Sequence, residues 1–185
     1  MSERSDVGVR QCPVAVLVGP PGAGKSTVAR ALAEQLQLTA HDTDAAVEGL
    51  AERSISDIFT TDGEAAFRAL EERAVEAALI EQRGVVALGG GAVLSAATRA
   101  ALAGHTVVFL NVGMADGVRR SGLSSARPLL AGVNPRSTFK LLLDARLPLY
   151  REVATVEVPT DGRDIAEVVA DVAAALPAKS RSEQA

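Results

Sequence analysis

The chain has 185 residues and a formal net charge of −4; 48% of it is hydrophobic, yet only 3% is aromatic and Trp is absent. This length suits one domain with an ample core. The scarcity of stacking side chains and the lack of any Lys/Arg run argue against a nucleic-acid reader. Cys12 is the only cysteine, which excludes an intrachain disulfide framework or a cysteine-built metal site. No apolar stretch is long enough to span a bilayer and the polar start lacks a signal-peptide pattern, so a cytoplasmic protein without membrane partners is expected.

Met1 to Gln11 and Pro177 to Ala185 read as frayed tails around a single-domain core of about residues 14–176. Short β-branched runs occur at Val14 to Val18, more weakly near Leu38, and at Val85 to Leu88, Thr106 to Leu110 and Thr155 to Val158. Apolar residues at helical spacing fill Ser26 to Leu36, Asp62 to Gln82, Ser95 to Ala103 and Arg163 to Ala175. This alternation predicts an α/β three-layer sandwich: a five-stranded parallel sheet with helices on both faces. Ser54 with Asp57 three residues on, Asp62, and Ser95 are expected to cap helices.

The first run leads directly into Gly19-Pro20-Pro21-Gly22-Ala23-Gly24-Lys25-Ser26-Thr27. This matches the phosphate-loop pattern G-x-x-x-x-G-K-[ST] in its strand-to-helix context. Glycines there let successive N–H groups face a phosphate chain at the positive end of the following helix. Gly22, Ala23, Gly24, Lys25, Ser26 and Thr27 are therefore the expected nucleotide contacts. Lys25 reaches the β- and γ-phosphates, and the Ser26 hydroxyl is a Mg²⁺ ligand. No guanine-reading Asn-Lys-x-Asp or Asp-x-x-Gly switch follows, and the fourth strand ends in Asn111. A GTPase and a motor ATPase with an acidic residue at that strand end are thereby disfavoured.

An acidic pair follows the second run in His41-Asp42-Thr43-Asp44, where carboxylates two apart are expected to project from the strand's carboxyl end. Asp42 suits a magnesium-bound water and Asp44 suits proton abstraction from an attacking hydroxyl; capping of the next helix by Asp42 or Thr43 is the structural alternative. The third run ends in Gly89-Gly90-Gly91. Three glycines are costly to order, which points to close ligand approach and donation from their amides. Residues 121–135 hold Gly122, Pro128, Gly132 and Pro135 around Arg127, with Leu129 and Leu130 as apolar anchors. They are expected to form a mobile lid.

These elements, with Arg68 in Gly63-Glu64-x-x-Phe67-Arg68-x-x-Glu71, Arg127-Pro128-Leu129-Leu130 and Arg146-x-Pro148-x-Tyr150, together resemble the shikimate kinase family. They stand in its order from Val14 to about Val172. The resemblance implies a P-loop nucleoside-phosphate kinase type of fold with a mobile lid and a substrate-binding helical region at about residues 43–72. It implies a monomer using ATP as co-substrate and Mg²⁺, with phosphoryl transfer to the 3-hydroxyl of shikimate in aromatic amino acid biosynthesis. Arg68 and Arg146 would grip the acceptor carboxylate. Asp44 and Gly90 would hold hydroxyls, with Gly89 and Gly91 in the same site. Lys25, Asp44 and Arg127 would be catalytic, Arg127 also meeting the nucleotide, and Arg120 and Arg163 would lie near the adenine. Ile165 replaces a proline common in relatives near the base. Another small-molecule kinase, such as a gluconate or nucleoside monophosphate kinase, is the nearest alternative; a nucleotide-binding module without catalysis is a more distant one.

Overall fold

Five parallel strands run in the order β2-β3-β1-β4-β5, with β1 at Ala15–Val18, β2 at Ala40–Asp42, β3 at Val85–Ala87, β4 at Val107–Asn111 and β5 at Val156–Pro159. This computed structural model describes residues 12–121 and 135–177. The three inner strands are apolar runs, buried at every position except Asn111, as strands covered on both faces must be. β2 and β5 are the edges and alternate with polar residues. Chain connections leave β1 first toward β3 and β2 and then toward β4 and β5. The carboxyl end of β1 is therefore a topological switch point, where ligands bind in open α/β sheets.

Helix α1 (Lys25–Gln35) follows β1, and α2 (Thr43–Ala51), α3 (Ile55–Thr61) and α4 (Gly63–Glu81) connect β2 to β3. A 3₁₀ turn at Ala92–Leu94 and α5 (Ala96–Ala101) lead to β4, while α6 (Met114–Ser121) and α7 (Pro135–Val153) precede β5; α8 (Ile165–Ala175) closes the chain. Ser54 and Ser95 cap as expected, accepting from the amides of Asp57 and Thr98. Asp62 does not: no side-chain bond caps α4, the Asp62 carboxylate pairs with Arg53, and Gly63 makes the turn at φ +83°. The cap of α8 is Asp164, in a reciprocal capping box with Glu167.

The second strand starts at Ala40 rather than near Leu38, because the Leu38 amide closes the end of α1 by donating to Ala33 O and Gln37 takes φ +55°. Helix α7 went unread in the sequence. Pro148 lies inside it, and an interior proline removes a hydrogen bond and weakens the helical pattern. No described helix is long and apolar enough to cross a membrane.

Two large clusters cover the sheet faces. One packs α1, α8 and Phe139 of α7 against one side; the other packs α4, the 3₁₀ turn and Tyr150 against the opposite side. A separate small cluster, Val47, Ile58, Phe67 and Ala74, joins α2, α3 and α4. The helical region expected at about residues 43–72 thus has a core of its own beside the sheet.

Candidate active site

The phosphate loop forms as its glycines require. Gly22 and Gly24 have φ +79° and +86°, a region closed to most side chains. A Cβ on Gly22 would stand 2.7 Å from the Gly117 carbonyl oxygen of α6 and 3.3 Å from Arg120 Cβ. No side chain caps α1, whose N-cap is Gly24, so its first-turn amides, through Ser26 and Thr27, open onto the loop. Lys25 is buried and its Nζ donates to Gly19 O at 2.8 Å and Pro20 O at 3.1 Å. The ammonium therefore arches across the loop that would receive a phosphate chain.

Ser26 Oγ donates to Asp42 Oδ2 at 2.5 Å, and Asp42 Oδ1 accepts from the Asp44 amide at 3.0 Å and the Ala45 amide at 3.4 Å. Asp42 therefore caps α2 and touches Ser26 of the phosphate loop at once. Asp44 does not share the strand end with Asp42, as the spacing had suggested. It stands in the first turn of α2, and a Cβ on Gly89 would collide with its Oδ1. The strand-to-helix break, not strand periodicity, directs it inward.

Gly89-Gly90-Gly91 is the hub of the cleft. A Cβ on Gly89 would also stand 2.5 Å from Glu71 Oε1, one on Gly90 3.3 Å from Pro21 Cδ of the phosphate loop, and one on Gly91 2.8 Å from Arg68 Cζ. The expectation that all three amides face a ligand needs correction at Gly89, whose N–H donates to buried Thr43 Oγ1 at 3.1 Å. Gly90 O accepts from Arg146 Nη1 at 3.1 Å and Tyr150 OH at 2.5 Å. Arg68, Arg146 and Asp44, distant in sequence, thus meet the same tripeptide.

Glu71 ends the Gly63-to-Glu71 motif, and its place in the site is not legible from sequence. It is buried, one turn after Arg68 on α4, and accepts from Arg68 Nη1 at 2.6 Å. Burial pushes its carboxyl up from the ordinary range; the positive charges of Arg68 and Arg146 oppose this and the negative charge of Asp44 adds to it. Burial disfavours the Arg68 charge, but Glu71 and Glu64 outweigh it and hold the guanidinium protonated. The i,i+3 spacing of Arg68 and Glu71 was the available signal; burial was not visible.

On the opposite side, Arg120 donates to Asp116 Oδ2 at 3.0 Å and Thr160 O at 3.2 Å. Asp116 also accepts from the Gly162 amide, fastening α6 to the turn before α8. Backbone donation from Gly162 is the main cause that lowers its carboxyl pKa. Arg163 lies along α8, bonded to Asp171 at 2.7 Å, Glu167 O and Pro159 O. Arg127 and most of the expected lid lie outside the described residues; of that segment Ser121 ends α6 and Pro135 begins α7.

A phosphate loop, a carboxylate and paired guanidinium groups around one glycine run can bind a polyphosphate beside an anionic alcohol. Comparison with known proteins agrees. The family model for shikimate kinase matches residues 21–177. A shikimate kinase of Saccharopolyspora erythraea is 67% identical over 150 residues, 81% of this chain and 86% of that protein. Another, of Salinispora arenicola, is 59% identical over 166 residues, 90% and 99% of the two chains. The solved structure of shikimate kinase from Acinetobacter baumannii in complex with shikimate superposes with TM-score 0.84 at 34% identity, covering 88% of this chain and 90% of that one. A gluconokinase from Sinorhizobium meliloti 1021, at TM-score 0.52 and 22% identity over 94% and 96% of the chains, shares the fold alone. The fold, the family match and this level of identity lead to one conclusion: the chain belongs to the shikimate kinase family, ATP-dependent kinases acting on an alcohol.

Proposed function

We propose that the chain transfers the γ-phosphoryl group of ATP to the 3-hydroxyl of shikimate, giving shikimate 3-phosphate and ADP, and acts as a cytoplasmic monomer in aromatic amino acid biosynthesis. The observation that carries this reading is the glycine hub. Pro21 of the phosphate loop, Asp44, Arg68 and Arg146 all abut Gly89-Gly90-Gly91, which supports an anion-recognising pocket next to the phosphoryl donor's cradle.

Arg68 and Arg146 hold the acceptor carboxylate through planar N–H pairs. Asp44, with Gly90 and Gly91, orients the ring hydroxyls. Asp44 accepts the proton as the 3-oxygen forms its bond to phosphorus and the bond to the ADP oxygen breaks. Gly22 to Thr27 supply amides to the phosphates, and Lys25 leaves the Gly19 and Pro20 carbonyls for the β- and γ-oxygens. Arg120 borders the adenine beside the loop, and Arg163 reaches the base by exchanging its Asp171 pair. Arg127 stabilises charge on the transferring group.

The donors at Ser26 and Asp42 fit Mg²⁺: both are hard oxygens, already in contact at 2.5 Å, the hydroxyl suited to direct ligation and the carboxylate to a water. The ion would neutralise charge on the β- and γ-phosphates.

A coupled ADP-release assay offering shikimate, gluconate and nucleoside monophosphates in parallel tests the reading. Turnover confined to shikimate is expected; turnover with a nucleotide or gluconate and none with shikimate would overturn it.

A further inference from the structure

Arg146 and Tyr150 stand one turn apart on α7, so both project from one face, and both donate to the Gly90 carbonyl oxygen, at 3.1 Å and 2.5 Å. The two donors differ in kind. Arg146 carries five N–H groups at the end of a flexible stem. Tyr150 is completely buried, and its ring stacks on Phe109 of β4 with centroids 5.1 Å apart and planes 18° apart. Its hydroxyl therefore reaches the cleft from a base fixed in the sheet core.

This sharing matters because Arg146 has to serve two acceptors. To turn toward a carboxylate it must relinquish Gly90 O, and a partly buried carbonyl held by Arg146 alone would oppose that movement. Peptide planarity adds a second consequence. The bond joining Gly90 to Gly91 is trans, so its C=O and N–H point in opposite directions. A hydroxyl that holds the Gly90 carbonyl toward α7 holds the Gly91 amide away from α7.

We infer that Tyr150 is a positioning residue for acceptor recognition: its hydroxyl keeps the Gly90 carbonyl satisfied, releasing Arg146 to the acceptor's carboxylate and fixing the plane of the Gly90–Gly91 peptide. The inference rests on the reading of Arg146 as a carboxylate ligand. Without the hydroxyl, Arg146 becomes the donor that Gly90 retains, and the carboxylate has to compete for it.

Tyr150→Phe keeps the ring and its stack and removes only the hydroxyl. In steady-state assays KM for shikimate should rise about five- to tenfold, the scale of one hydrogen bond, while KM for ATP stays unchanged and kcat falls far less than KM rises. The penalty should be clearly smaller with the primary carboxamide of shikimate as acceptor, compared through kcat/KM, because that acceptor presents no carboxylate for Arg146 and keeps only the part that comes from the peptide plane. A merely structural tyrosine would penalise both acceptors alike, and that result would overturn the inference, as would an unchanged KM for shikimate. Arg146→Ala, assayed alongside, separates the two levels. If it raises KM for shikimate and Tyr150→Phe does not, the positioning role fails alone; if Arg146→Ala has no effect, the carboxylate reading and this inference fail together. Should Tyr150→Phe fold poorly, judged by its thermal melt, isothermal titration of shikimate and its carboxamide against wild type and Arg146→Lys takes its place. Equal losses for both ligands in Arg146→Lys would refute the sharing of Arg146 between Gly90 and the carboxylate.

Discussion

Replacing Gly91 with Ala asks whether acceptor recognition depends on where Arg68 is held. Gly91 has φ −102° and ψ −6°, a conformation open to any L-residue, so the substitution adds volume without backbone strain. The new methyl would stand 2.7 Å from Arg68 Nη2 and 2.8 Å from Cζ. Carbon contacts relax at about 3.5–4.0 Å, so the guanidinium must retreat by about 1 Å. It can do so on its flexible stem, but the movement weakens its bond to Glu71, now 2.6 Å long. A bond to a charged group is worth about 1.5–3 kcal/mol. Loss of one such bond to the incoming carboxylate corresponds to a rise in KM for shikimate of about 10- to 150-fold. KM for ATP should change little, since the polar partners of Arg68 are Glu64 and Glu71 rather than the phosphate loop. A pyruvate kinase and lactate dehydrogenase coupled assay reads both constants, and a circular-dichroism melt checks the fold. A folded Gly91→Ala protein with unaltered KM for shikimate would refute the reasoning, because the pocket would then not need Arg68 where the structure puts it.

Asp44→Asn should lower kcat by about 10²–10⁴-fold, the range for a general base, with ATP affinity by calorimetry largely retained; full activity would remove the proton-acceptor role. Arg127→Ala should lower kcat by about 10³-fold or more, and a loss confined to ATP affinity would contradict charge stabilisation. Gly22→Ala meets both a positive φ and the Gly117 carbonyl oxygen at 2.7 Å, so Tm should drop and KM for ATP should rise more than KM for shikimate; an unshifted melt would show that the loop does not press on α6. Glu71 has a folded pKa raised above its unfolded value of about 4.3, chiefly by burial. The folded state then binds more protons between those two values, so its stability declines as pH rises through that window and levels off above it. Glu71→Gln should remove this decline, and wild-type and variant melting curves that stay parallel from acid to neutral pH would count against it.

Local rules were enough to read several parts of this chain before its fold was known. The Gly19 to Thr27 loop was evident because its glycines, lysine and hydroxyl must be contiguous to wrap a phosphate chain. The buried runs of β1, β3 and β4 stood out because strands covered on both faces are apolar throughout, and the caps at Ser54 and Ser95 because the bonding partner lies three residues away. Family resemblance, rather than periodicity, singled out Arg68 and Arg146.

Tertiary structure decided whatever depends on which distant segments meet. The order β2-β3-β1-β4-β5 brings Gly89-Gly90-Gly91 against the phosphate loop, α2 and α7, and no local pattern encodes that adjacency. Asp44 faces Gly89 because α2 begins where β2 stops, so a strand-based spacing argument aimed it wrongly. Packing of α4 buries Glu71 beside Arg68, which no local pattern encodes. Tyr150 is fully buried, yet its hydroxyl reaches Gly90 across 60 residues of sequence. Chain-local chemistry specifies a phosphate cradle because its atoms are neighbours along the backbone; the groups around Gly89-Gly90-Gly91 come from separate elements, and only packing of those elements on the sheet brings them together.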